Sequence, residues 1–145
     1  MKALIQRVSS AFVSIDGEQV GNIDKGLLVF LGVEKGDTGD TVSSMLHKVT
    51  HYRVFPDEAG KMNLDVMQAS GDLLVVSQFT LAADTSKGLR PGFSAAADSA
   101  LANALYEQFI AEAVQLVGKV ASGRFAADMQ VELINDGPVT FLLEA

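Results

Sequence analysis

Two short polar runs hold the residues best suited to chemistry: Ser77-Gln78-Phe79-Thr80, which follows the apolar stretch Leu73 to Val76, and Asn135-Asp136-Gly137-Pro138-Val139-Thr140, which precedes Phe141 to Leu143. The first offers two hydroxyls, a carboxamide and backbone N–H groups at a strand end, where they are free to stabilise a developing oxyanion. The second offers a Gly-Pro peptide, in which glycine permits close backbone approach and proline fixes φ. A nucleophilic Ser77 or Thr80 needs a base within hydrogen-bond reach and a third group to orient that base. The chain has only two histidines, His47 and His51, and no Gly-x-Ser-x-Gly elbow. Asp84 lies near Thr80 in sequence, yet an aspartate is a poor base at neutral pH unless burial raises its pKa. On residues alone three readings stand: a backbone oxyanion site, a hydroxyl nucleophile, and an ordinary polar strand end with Phe79 in the core.

Other constellations carry less. His47 and His51 are four apart on a predicted helix, but no glutamate sits between them as in a zinc hydrolase and no third ligand is evident, so they read as polar helix surface. Zero cysteines exclude a disulfide framework, thiolate metal sites and a cysteine nucleophile. The loop Glu34 to Asp40 lacks the Gly-Lys-Ser/Thr ending of a phosphate loop. A formal net charge of −7 argues against a broad phosphate-tracking surface for DNA or other long nucleic acid. The densest basic spot is the loop Thr85 to Gly92, where Lys87 and Arg90 sit among flexible residues; it reads either as a small contact patch or as a solvated loop.

The elements that must position these residues follow from periodicity. Ala11 to Ile15 and Gln19 to Ile23 flank Asp16-Gly17, a hairpin turn, and Leu27 to Val33 is a continuous apolar run of the kind found in buried strands. Val42, Met45, Leu46, Val49 and Tyr52 mark a helix from Thr41 that Pro56 ends. Pro56 to Asn63 is a turn-rich loop. Asp72 to Thr80 is a strand carrying the first polar run at its end. Asp98 or Ser99 caps a second helix, with Ala102, Leu105, Tyr106, Phe109, Ala113, Leu116 and Val117 on one face and a stop at Gly118. Met129 to Ile134 and Val139 to Leu143 are two strands around the second run. The expectation is a single β-rich α+β domain over residues 1–145, a mixed or antiparallel sheet with two main helices packed on it. No apolar run approaches membrane-spanning length and the first residues carry charge too early for a signal peptide, so a soluble cytoplasmic protein is expected.

Together, Ser77-Gln78-Phe79-Thr80-Leu81 and Asn135-Asp136-Gly137-Pro138-Val139-Thr140 resemble the two signature motifs of the D-aminoacyl-tRNA deacylases, or D-tyrosyl-tRNA deacylases. The likeness runs from Ile5-Gln6-Arg7-Val8 through Gly123-Arg124-Phe125 and Met129 to the last strand. It implies a deacylase-type fold, hydrolysis of the ester of D-aminoacyl-tRNA, and a role in translation proofreading. It further implies a homodimer with active sites at the subunit interface, the acceptor end of aminoacyl-tRNA as partner, and no cofactor, metal, membrane or DNA. Carried over, Ser77, Gln78, Phe79 and Thr80 form the catalytic floor for the ester and the terminal adenosine. Gly137 and Pro138, in cis, are the chirality filter reaching in from the other subunit. Val139, Thr140, Met129 and Phe125 belong to substrate binding, and Arg7 braces the Gly-Pro loop. Glycine has no side chain to be rejected, so glycyl-tRNA is an expected further substrate. Pro91-Gly92-Phe93 departs from the pattern, which has serine at the glycine position, and no role is carried over for that hydroxyl. A dimeric β-rich ligand-binding module and a generic serine or threonine esterase are the competing classes.

Overall fold

The computed structural model describes residues 1–145. Its organising element is β1 (Lys2–Ile15), which pairs antiparallel with β2 (Glu18–Ile23), β3 (Gly26–Gly32) and β8 (Gln130–Glu144). On the far side of β3 the pairing changes direction. β3 runs parallel to β6 (Asp72–Ser77), and β6 parallel to β7 (Val120–Ser122). The sheet order is β2-β1-β3-β6-β7, with β8 also on β1, so the expected mixed sheet is present. Its two ends approach each other, since a Cβ on Gly21 of β2 would lie 2.8 Å from the carbonyl oxygen of Ser122 in β7. The result is a near-barrel with an interior.

Both faces of the parallel strands are buried, which is why they read as unbroken apolar runs. Leu27, Val29, Leu31, Leu73 and Val75 point into the larger core, beneath α1 (Gly39–His51) and α2 (Ser99–Leu116). Leu28, Leu74 and Val76 point the other way, with Val8, Ala11, Val13 and Ile23, into the curled interior. Asp98 caps α2 as expected, its Oδ1 accepting from the N–H of Leu101 at 2.9 Å. Tyr106 on α2 ties helix to sheet: its hydroxyl donates to Val75 O at 3.0 Å, with Gly123 O at 3.3 Å. Burial pushes this phenol up to about 12, so it remains a neutral donor through the physiological range. A ribbon of β4 (Phe55–Pro56) and β5 (Met62–Leu64) completes the chain.

Several boundaries differ from the expectation. β1 begins at Lys2 rather than Ala11, and α1 at Gly39 rather than Thr41. Leu116 is exposed at the end of α2 instead of sharing its buried face. The strand predicted over Asp72 to Thr80 ends at Ser77, because Phe79–Ala82 winds into a 3-10 turn. The two strands expected around Asn135 to Pro138 are one, β8, with an excursion inside it.

Candidate active site

The site is set by the switch from strand to turn after Ser77. Gln78 continues the pairing, its N–H donating to Leu31 O at 2.8 Å, and the turn then closes with Leu81 N–H donating to Gln78 O at 3.2 Å. Phe79 and Thr80 are the first residues of that turn, so their N–H groups have no acceptor within it. The Gln78 carboxamide donates to the Thr80 hydroxyl, which fixes both side chains. Phe79 is not in the core. It is 56% exposed and packs obliquely on Phe93, ring centroids 5.1 Å apart.

A cavity of about 510 Å³ opens here, at the mouth of the near-barrel. Phe30, Val76 and Val131 form its apolar depth, Ser77, Gln78 and Phe79 one wall, and Phe125, Asp128 and Met129 another. Five of the sequence-identified residues thus meet around one space: Ser77, Gln78, Phe79, Phe125 and Met129. Phe30, Ser99 and Asp128 were not anticipated. Strand alternation within Leu27 to Val33 places Phe30 on the same face as Leu28 and was the available signal for it; Asp128 had none.

No imidazole joins this cavity. His47 and His51 stack on each other at 4.1 Å in a separate shallow groove between α1 and α2. Asp84 is equally unsuited as a base for Thr80. Its carboxylate accepts from Ser86 Oγ at 2.6 Å and Ser86 N–H at 2.9 Å, and these bonds, the side-chain one foremost, hold its pKa below the usual carboxylate value. The polar equipment of the cavity is therefore hydroxyls, a carboxamide, free backbone amides and the single carboxylate of Asp128.

The second run is built by a mismatch in register. Val8 of β1 pairs with Asn135 and Gln6 with Thr140, so a single residue, Arg7, faces the four residues Asp136 to Val139. The surplus chain bows out, with Gly137 at φ +147° and the Gly137-Pro138 peptide in cis. Asn135 staples the bow shut: its Oδ1 accepts from Val139 N–H at 2.7 Å, and its Nδ2 donates to Thr140 Oγ1 at 3.0 Å and Val139 O at 3.2 Å. Arg7, only 12% exposed, fills the gap. Its Nε donates to Asp136 O at 2.8 Å and its Nη1 to Val54 O at 2.6 Å, so it clamps the bow to the chain leaving α1. Gly137 and Pro138 are exposed and, like Thr80, Val139 and Thr140, lie outside the cavity lining of their own chain. The hydrogen bonds of Val139 and Thr140 go to Asn135 and, for Thr140, also to Gln6 at 3.3 Å, while the Val139 side chain packs against the larger core.

With cavity, floor and bow defined, the family follows: the chain belongs to the D-Tyr-tRNA(Tyr) deacylases, whose sequence model matches residues 4–144. Among its relatives, a D-aminoacyl-tRNA deacylase of Pseudomonas fluorescens strain SBW25 is 59% identical over 99% of each chain. One of Haemophilus influenzae strain 86-028NP is 61% identical, again over 99% of each. Among solved structures, the c-Myc DNA Unwinding Element Binding Protein superposes with a TM-score of 0.96 at 39% identity, covering 100% of this chain and 99% of that one. A probable eukaryotic D-amino acid tRNA deacylase shares the fold, with a TM-score of 0.84 at 14% identity over 98% of this chain and 97% of its own.

Proposed function

We propose that this protein hydrolyses the ester of D-aminoacyl-tRNA in the cytoplasm as a homodimer, that it spares L-aminoacyl-tRNA, and that it thereby proofreads translation. The observation that carries this reading is the cavity at the strand end of Ser77, floored by a turn with free N–H groups and lacking any histidine base. Such a floor suits an already activated ester. The N–H groups of Phe79 and Thr80 stabilise the tetrahedral oxyanion, water attacks, and the neighbouring ribose 2′-hydroxyl assists.

Stereochemistry falls to Gly137-Pro138. Their backbone carries no side chain at the glycine, so it can stand close to the substrate α-carbon and collide with an L side chain while leaving the D direction open. A side chain pointing into solvent is not read, which makes side-chain specificity loose, and glycyl-tRNA escapes the collision. Because the bow lies outside its own chain's cavity lining, a second copy is the natural source of the filter. β8 pairs only with β1, and Ile134, Phe141 and Leu142 on it are exposed, which supports such an association. Light scattering is expected to return a mass of two chains; a monomer that still discriminates would sink the cross-subunit filter.

The deciding assay compares matched D- and L-aminoacyl-tRNA carrying one side chain. Loss of the D ester alone is expected. Loss of both indicates a generic esterase, and loss of neither a ligand-binding module. Thr80→Ala should lower kcat less than about tenfold, the scale of one hydroxyl contact of ~1 kcal/mol rather than of a nucleophile. Abolition of hydrolysis with binding intact would overturn the backbone mechanism.

A further inference from the structure

In a chain of net charge −7, what matters is where the cations without partners stand. Lys2 and Arg7 are in ion pairs, Lys48 and Arg53 donate to Glu144 O and to Asn63, and Lys25 lies over the Phe55 ring. Lys35, Lys61, Lys87, Arg90, Lys119 and Arg124 have no side-chain partner. Their distribution is uneven. β3, β6 and β7 are mutually parallel, so their carboxyl ends point one way, and the cavity is at that end. The chain leaving β3 carries Lys35, the chain leaving β6 carries Lys87 and Arg90, and the chain leaving β7 carries Arg124.

Each of these segments is anchored beside the cavity. Lys35 N–H donates to Ala95 O at 2.9 Å, two residues before the lining residue Ala97. Asp84 and Gly92 exchange backbone bonds of 2.7 and 3.0 Å, closing the loop that carries Lys87 and Arg90 directly behind the 3-10 turn. Arg124 precedes the lining residue Phe125 and itself lines a second, open groove with Glu18, Gln19 and Ser122. The carboxylates nearby are mostly engaged: Glu34 and Asp37 accept from the Met1 ammonium at 2.8 Å each, Asp84 accepts from Ser86, and Asp98 caps α2. Asp128, in the cavity wall, and Glu18, in the groove with Arg124, have no partner. By contrast, Lys119 sits at the amino end of β7 and Lys61 beside the β4–β5 ribbon.

We infer that Lys35, Lys87, Arg90 and Arg124 form a phosphate-gripping rim around the cavity mouth that holds the backbone of an RNA strand whose 3′ end enters the site. This rests on the RNA-ester reading above and assigns the cations that hold the strand. Four cations on exposed stems, two ammonium and two guanidinium groups, neutralise phosphates without reading bases, so the rim gives affinity and register but no sequence preference.

The test is binding, separate from hydrolysis. A short RNA hairpin with a single-stranded 3′ overhang that carries no amino acid is titrated against wild-type protein by fluorescence anisotropy at several salt concentrations. The combined variant Lys35→Ala, Lys87→Ala, Arg90→Ala, Arg124→Ala is expected to lose at least tenfold in affinity, and the slope of log affinity against log salt to shrink by about 3, at ~0.7 per single-strand phosphate released. Lys87→Ala with Arg90→Ala, and Arg124→Ala alone, should show graded parts of that loss, while Lys61→Ala with Lys119→Ala keeps wild-type affinity. Equal loss in that last pair, unchanged binding in the fourfold variant, or no binding by wild-type protein overturns the rim. A protein that binds the hairpin but spares the D ester retains the rim and loses the deacylase reading.

Discussion

Gly137→Ala is expected to lower kcat/KM for a D-aminoacyl ester by on the order of 100-fold, the scale of a displacement of about 1 Å in a positioned catalytic element, in a protein that still folds. The added Cβ would stand 2.7 Å from Val139 Cγ2, 2.9 Å from Val139 N and 3.2 Å from Arg7 Nη2, at φ +147°, where a side chain is strained whatever the space. The Asn135 staple and the Arg7 clamp leave the bow little freedom to yield, so Gly137 and its neighbours shift together. Steady-state kinetics on matched D and L esters, with circular dichroism melting, check this. Activity within threefold of wild type would show that the bow does not touch the substrate.

Arg7→Ala removes the clamp, and the expected outcome is a combined loss of activity and stability. Two charge-assisted bonds to carbonyl oxygens disappear, one exposed and one part-buried, at about 1.5 kcal/mol each, the lower end for bonds from a charged group. Because the lost stem also leaves a gap, a fall in unfolding free energy of about 3 kcal/mol and at least tenfold lower kcat/KM are expected. Arg7→Lys should not restore either, since a single ammonium cannot span Asp136 O and Val54 O with the geometry of a guanidinium. Urea unfolding and the D-ester assay separate the two losses. A variant that melts like wild type yet loses discrimination would make Arg7 a substrate contact instead of a brace.

Much of the scaffold was legible because local pattern and burial agree. The stripe Val42, Met45, Leu46, Val49 is fully buried on α1, and the apolar run at Leu27 is a strand with both faces covered. What stayed hidden depends on partners distant in sequence. β7 has only three residues and exists because β6 offers it an edge. Phe79 reads as a core aromatic, since nothing local announces that the backbone turns at Gln78 and leaves the ring outside. The brace by Arg7 followed from family likeness, but its cause, one residue facing four, is a property of two paired strands and cannot be seen in either alone.

That register mismatch also sets how the protein can change over generations. The residues from Thr140 to Glu144 are zipped to β1 immediately beyond the bow, so one inserted or deleted residue between Asn135 and Val139 would either tear the staple or turn every following side chain to the opposite face. The loop from Thr85 to Pro91 is tied off behind itself by Asp84 and Gly92, and lengthening it disturbs no strand. Insertions can therefore accumulate at the loop and not at the bow. A lineage built on this scaffold is free to lengthen or shorten that loop while the bow keeps its length.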